Sequence, residues 1–152
     1  MIYNFRIFGD PVSQGRPRFF VRKKGGVGCE DPAKSKDWKQ NVINQILVSN
    51  GRPEKFKFID GPITLTLNFF MPRPKSLPKK VKHHIKRPDL DNLVKAIKDA
   101  LSGLLYKDDS QIIELIATKE YCKIRPDGYY EDPPGVSIRL YEVIEDEIQK
   151  EE

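Results

Sequence analysis

The sequence predicts an α/β (α+β) fold, a single compact domain in which about two main helices pack on a mixed β-sheet. Segments of two-residue and of helical period follow one another as β-loop-α-β-loop-α-β-β, the pattern of helices laid on a sheet. At 152 residues the chain is long enough for one real core and short for two. There is no internal repeat, so the domain is placed at residues 1–142, with an acidic tail over 143–152.

Each element has its own signal. Tyr3, Phe5 and Ile7 share one face of residues 2–8, the alternation of a half-buried first strand. Gly9 to Gly28 reads as a loop rich in glycine and basic residues. From about Asp31 to Ser49 the period turns helical: Asp31 can cap, Pro32 suits the first turn, and Trp38, Val42 and Ile46 recur at four-residue spacing as core. Gly51 and Pro53 break that helix. Ile63, Leu65, Leu67 and Phe69 alternate with Thr64, Thr66 and Asn68 in a second strand. Pro72 to Pro88 is a proline-rich loop. Residues 89–105 carry the best helical pattern, with Leu90, Leu93, Val94, Ile97, Leu101, Leu104 and Leu105 on one broad apolar face. Residues 111–123 and 136–143 are further strands, parted by turns at Asp127-Gly128 and Pro133-Pro134-Gly135.

Composition narrows the function classes. The longest apolar stretches fall far short of a membrane span. The start, Met1 to Phe8, has neither the basic head nor the long apolar centre of a secretion signal. Cys29 and Cys122 stand in no metal-binding spacing and read as reduced thiols of a cytoplasmic protein. The net charge of +5 hides an asymmetry. Glu142 to Glu152 holds six acidic residues and one lysine, so the first 141 positions carry 26 basic against 16 acidic residues. Such a field suits a polyanion, because each lysine or arginine that neutralises a phosphate releases a counterion. Solubility alone is the plainer reading of charge, so its placement matters more. Arg16, Arg18, Arg22, Lys23 and Lys24 flank glycines in the first loop. Pro72 to Pro88 holds seven basic residues and no acid, with Lys79, Lys80, Lys82, Lys86 and Arg87 leading straight into Asp89.

The acids near the second helix form a pattern of their own. Asp89 follows Pro88 at the helix entrance, where it can cap free N–H groups. Asp91 and Lys95 are neighbours on the polar face. Asp108-Asp109 sits past the far end, and a helix of about sixteen residues spans roughly 24 Å. An acid there reaches the helix start only if the chain doubles back or a second subunit supplies it. Clustered carboxylates repel unless a cation neutralises them, and Mg²⁺ takes hard oxygen ligands of this kind. From spacing alone, an N-cap, an i,i+4 ion pair and a polar turn explain the same residues.

Arg87-Pro88-Asp89-Leu90-Asp91-Asn92 through Lys95, then Asp99-Ala100-Leu101, then Asp108-Asp109-Ser110-Gln111, resembles the RusA family of Holliday-junction resolvases. The family pattern is R-P-D-x-D-N-x-x-K, D-A-L and D-D-x-Q, and every fixed element is present in order. Gly9 to Arg18 also resembles the family's opening G-x-P-x-x-x-G-R-P-R. The resemblance implies a homodimeric endonuclease of recombination and repair that cuts four-way DNA junctions with paired symmetric nicks, using Mg²⁺; whether Mn²⁺ replaces Mg²⁺ is left open by the sequence. It implies Asp89, Asp91 and Asp109 as metal-binding catalytic acids and Lys95 as the catalytic lysine. Arg16, Arg18, Arg22, Lys23, Lys24, Lys86 and Arg87 are the expected DNA contacts. The rival from another class is a non-catalytic branched-DNA-binding protein built on the same basic loops. Phe19 and Phe20 are expected in core or dimer packing, with a wedge at the junction crossover as the alternative. His83 and His84 read as exposed and inert, and Asp99 as half of a structural ion pair.

Overall fold

The computed structural model describes residues 2–50 and 56–145. Four strands, β1 (Ile2–Phe8), β4 (Ile63–Met71), β5 (Ile112–Tyr121) and β6 (Gly135–Glu142), form a mixed sheet in the order β1-β6-β4-β5. Two helices, α1 (Ala33–Asn50) and α2 (Leu90–Leu101), lie against it, with α1 over β1 and α2 over β5. The expected α+β architecture is therefore the observed one. A hairpin of β2 (Arg18–Val21) and β3 (Val27–Glu30) stands apart from the sheet.

The sheet's alternation decides which face the helices cover. Leu65, Leu67, Phe69 and Met71 of β4 meet Phe5, Ile7, Val136, Ile138 and Leu140 in the core. Trp38, Val42 and Ile46 close it from α1, and Leu93, Ile97 and Leu101 from α2. All of these are buried, so truncating one of the large aliphatics costs about 2–5 kcal/mol. The opposite face is lined by polar pairs between β4 and β5: Thr118 donates to Asn68 at 2.7 Å, and Thr64 to Glu114 at 3.4 Å. β4 and β5 are parallel, which requires a crossover, and the 72–89 segment with α2 provides it. The start of α2 therefore lies at the carboxyl ends of β4 and β5, where open α/β sheets place ligands.

Three boundaries depart from the periodic reading. Helix α1 begins at Ala33 rather than Asp31, and Asp31 accepts a 2.6 Å bond from Lys39 instead of capping. Helix α2 stops at Leu101, not at residue 105. Ser102 is extended and Gly103 sits at φ +80°, a backbone region that glycine enters at little cost. Leu105 still fills the core, but from a turn. The helix thus spans about 18 Å at 1.5 Å per residue, and the chain doubles back immediately. Third, the loop expected from Gly9 to Gly28 contains the whole of β2, paired in register with β3 from Arg18↔Glu30 to Val21↔Val27. Every β2 side chain is exposed, so no burial pattern marks the strand. Phe19 is 75% exposed and Phe20 46%, which removes both from the core of this chain, one of the two packings expected for them, the other being a dimer contact.

The basic 72–88 loop is braced. Arg73 is buried; its Nε donates to the Cys122 carbonyl at 2.8 Å and its other nitrogens to the carbonyls of Pro78 and Val81. The amide of Tyr121 donates to the Lys82 carbonyl at 2.9 Å, and His83 bridges to Glu120, so the loop covers the last part of β5's outer edge. His83 is exposed, as expected, but His84 is half-buried edge-on to Tyr121 with ring centroids 4.7 Å apart. Burial, then the charge of Lys119, lowers the His84 pKa. Cys29 and Cys122 are free thiols. Among the described residues no helix is long and apolar enough to cross a membrane. Most of the acidic tail, residues 146–152, lies outside the described residues.

Candidate active site

A cleft of about 650 Å³ opens between α2 and β5. Its floor is apolar, made by Leu90, Val94, Leu115 and Ala117. Asp91, Lys95, Lys98, Asp99 and Asp109 stand round it, because residues 91, 95 and 98 recur on the helix flank facing β5. Asp109 reaches the cleft within one chain, since α2 is short and the turn after it brings the start of β5 back along the helix.

That turn is held by residues whose roles the spacing did not show. Gln111 accepts the amides of Lys107 (2.9 Å) and Asp108 (3.0 Å) and donates to the carbonyls of Ile59 (2.7 Å) and Gly61 (3.2 Å). One side chain thus ties the Asp109 turn to the segment entering β4. Tyr106 is buried, and its hydroxyl donates to Asp109 Oδ1 at 3.1 Å and lies 3.3 Å from the Lys98 carbonyl. Burial, then the Asp109 carboxylate, raises the phenol well above the ordinary tyrosine range and keeps it a neutral donor. Lys98 Nζ lies 4.0 Å from Asp109 Oδ2. The Gln of D-D-x-Q is the available signal for the clamp; nothing in the sequence singles out Tyr106.

The start of α2 is held differently. Lys119 Nζ donates to the carbonyls of Lys86 (2.8 Å) and Pro88 (2.9 Å), fixing the backbone just before Asp89. The Gln14 amide donates to the Asn92 carbonyl at 3.0 Å. Ser35 Oγ accepts the Gly15 amide at 2.9 Å and donates to the Ser13 carbonyl at 3.0 Å. A side chain at Gly15 would meet Pro32, its Cβ falling 2.6 Å from Cγ, so the loop closes on α1 only with glycine there. The two sequence stretches read separately, Gly9–Arg18 and Arg87–Lys95, are neighbours in space.

Asp89 occupies the N-cap position, yet its side chain makes no cap hydrogen bond. It lines a second groove with Ser13, Arg87, Pro88 and Asn92, beside the main cleft rather than in it. Among the described residues, neither Asp91 nor Lys95 takes part in a salt bridge; the i,i+4 pair that would explain them away is not formed. Asp99 is different: it lies 4.0 Å from Lys39 of α1, the structural pair expected of it. Arg87 shares the groove of Asp89, and Lys86 and Arg16 are exposed close to the same anchored segments. Arg18 opens β2, and Arg22, Lys23 and Lys24 form the hairpin turn, lining neither cleft nor groove. Lys79 and Lys82 line a separate cavity and stand away from Asp89.

The structure therefore brings Asp91, Lys95 and Asp109 to one cleft and Asp89 with Arg87 to the adjoining groove. Among the described residues no group of three His, Cys, Asp or Glu side chains is assembled to hold a metal. Mg²⁺ needs only one or two carboxylates, completing its shell with water and phosphate oxygens. The uncommitted carboxylates of Asp89 and Asp91 suit that ion in chemistry.

The chain is similar to known proteins along most of its length. The family model described as endodeoxyribonuclease RusA matches residues 9–141. The uncharacterized protein YqaN of Bacillus subtilis (strain 168) is 39% identical over 149 residues, covering 91% of this chain and 95% of that protein.

Proposed function

This chain belongs to the endodeoxyribonuclease RusA family, and on that premise we propose that it resolves four-way DNA junctions by Mg²⁺-dependent phosphodiester hydrolysis. The observation that carries the proposal is the start of α2, where, among the described residues, Asp89 has no cap bond and Asp91 and Lys95 form no ion pair. Asp89, Asp91 and Asp109 would hold the metal. When bound, Mg²⁺ supplies charge that favours deprotonation of water and stabilises the leaving oxygen. Lys95 sets an ammonium beside the phosphate, where negative charge grows during the reaction. Leu90, Val94, Leu115 and Ala117 exclude water from one side of the cleft, which strengthens those charge interactions. Arg87, Lys86, Arg16 and Arg18 bring positive charge to the approach, and Arg22, Lys23 and Lys24 extend it along the hairpin.

Paired symmetric nicks require two sites related by a two-fold axis, and β5 offers a surface for a second copy. It is the sheet's edge strand, and Ile113 and Ile116 are exposed on it outside the cleft. Proteins usually shield or charge such an edge. A light-scattering mass of two chains is expected for the protein, falling to one chain for Ile113→Lys; an unchanged mass for the variant removes β5 from the interface.

A second reading has one observation in its favour: the three acids are not gathered into one cluster. That reading is a branched-DNA-binding protein without catalysis. A labelled four-way junction and a matching linear duplex, each with Mg²⁺ or with chelator, separate the two. Metal-dependent symmetric nicks confined to the junction support the nuclease. Salt-sensitive binding with no product under either condition selects the binder.

A further inference from the structure

A cavity of about 310 Å³ lies at the carboxyl end of β5, under the basic 72–88 loop. Lys79, Lys82, Lys123 and Arg73 line it, together with Tyr121 and a single carboxylate, Glu131. We propose that this cavity holds a backbone phosphate of a DNA arm, away from the bond that is cut. The proposal rests on the chain acting on DNA, and it assigns a second point of attachment outside the Asp91 cleft.

The lysines are carried on a frame, not on a slack loop. Arg73 directs its guanidinium at the carbonyls of Cys122, Pro78 and Val81, so it braces the loop while leaving its charge unneutralised by any carboxylate among the described residues. Lys82 is tied through its carbonyl to Tyr121, and its ammonium lies 3.7 Å from Glu120. Lys79 and Lys123 are exposed and form no ion pair among the described residues. Four cations against two carboxylates, the lining Glu131 and the Glu120 that faces Lys82, leave a positive surplus that favours an anion, and the volume holds about ten waters at roughly 30 Å³ each, room for a hydrated phosphate group. The cavity also sits on a path. The loop that presents Lys79 and Lys82 runs on to Lys86 and Pro88, whose carbonyls Lys119 holds immediately before Asp89. In this proposal a DNA strand lying across Asp89 and Asp91 follows that loop to the cavity. Phosphate binding of this type sets position and affinity without reading sequence.

Salt dependence tests the assignment directly. Binding to a four-way junction and to linear duplex is measured in chelator across a range of salt. The chains compared are the wild type, a Lys79→Gln/Lys123→Gln variant and a charge-matched Lys57→Gln/Arg139→Gln control. Each phosphate that the protein no longer neutralises lowers the slope of log K against log salt by about 0.9. The slope of the cavity variant is expected to be shallower by about 1–2, and its binding several-fold weaker on every sequence, with an unchanged thermal midpoint. The control is expected to keep the wild-type slope. Equal slopes in the two variants overturn the proposal. Cleavage by the wild type with Mg²⁺ is read alongside: binding without cutting refutes the nuclease while the slope comparison still decides the cavity. A wild type that binds neither DNA overturns both.

Discussion

The two ends of α2 are built on opposite plans. At its C-terminal end Asp109 is engaged: Tyr106 donates to it, Lys98 stands 4.0 Å away, and Gln111 fixes the backbone that carries it. At the N-terminal end the backbone is held just as firmly, by Lys119 and by the Gln14 amide, but Asp89 makes no cap bond and Asp91 no ion pair among the described residues. In the first region the fold uses its polar groups to close a turn. In the second it positions carboxylates and leaves their oxygens open to an outside ligand, at the carboxyl ends of the parallel strands. The difference separates Asp109, an acid of the proposed site whose orientation its turn already fixes, from Asp89 and Asp91, whose oxygens are left free.

The sharpest way to break this contrast is Asp91→Asn. A free carboxylate contributes to chemistry and little to stability, so cleavage is expected to fall by about 10²-fold or more with junction affinity and thermal midpoint unchanged. A variant that cuts normally would show that the open end is not the site. Gln111→Ala should do the reverse. It strands two amides and two carbonyls, each worth about 1–3 kcal/mol where it cannot reach water, and calorimetry should show a clear loss of stability before any assay is run. An unchanged midpoint would mean that the Asp109 turn is held by something else. Lys119→Met lies between them. It removes two bonds to loop carbonyls, about 1 kcal/mol in a half-exposed setting, and is expected to raise KM for the junction more than it lowers kcat. Restoration by Lys119→Arg would confirm that the lysine acts through the loop.

How much of this is legible in the sequence follows the same division. The apolar face of α2, the alternation of β4 and the four-residue spacing of Trp38, Val42 and Ile46 are periodic, and periodicity reports burial, so the sheet and its two helices can be read directly. The pattern overextends α2 because Leu104 and Leu105 continue its apolar face, although Gly103 at φ +80° carries the stop signal. A helix of the longer reading would hold Asp109 out of reach, and the shorter one with its tight turn brings it back. The β2–β3 hairpin escapes the sequence for the opposite reason. The β2 side chains face water, the hairpin is held by its own ladder, and its glycines and basic residues have the composition of a loop. Of the candidate site, the free carboxylates are named by the family pattern, not by spacing. The clamps by Lys119, Gln111 and Tyr106 connect residues distant in sequence or hidden in a turn, and no local pattern encodes such a bond. The lysines of the 72–88 loop are expected together beside Asp89, but Arg73 folds part of that loop over the end of β5 instead.

The smallest expected effect is also the most specific to the engaged end. Tyr106→Phe removes one hydroxyl, which bonds Asp109 and lies near the Lys98 carbonyl, at a cost of about 1 kcal/mol near neutral pH. Its pH dependence distinguishes the hydrogen bond from simple packing. In the folded chain burial and Asp109 raise the phenol above its ordinary range, so the folded state keeps that proton. The unfolded chain releases it from about pH 10. Above that point the unfolded state binds fewer protons than the folded state, and the stability of the wild type falls as pH rises. Phenylalanine has no proton to release. The advantage of the wild type over Tyr106→Phe should therefore be complete below about pH 9 and shrink steadily above pH 10, as read from denaturant midpoints of the two proteins measured side by side. A gap that stays constant to about pH 11 would mean that the hydroxyl is not buried against Asp109, and that the two ends of α2 differ less than their hydrogen bonds indicate.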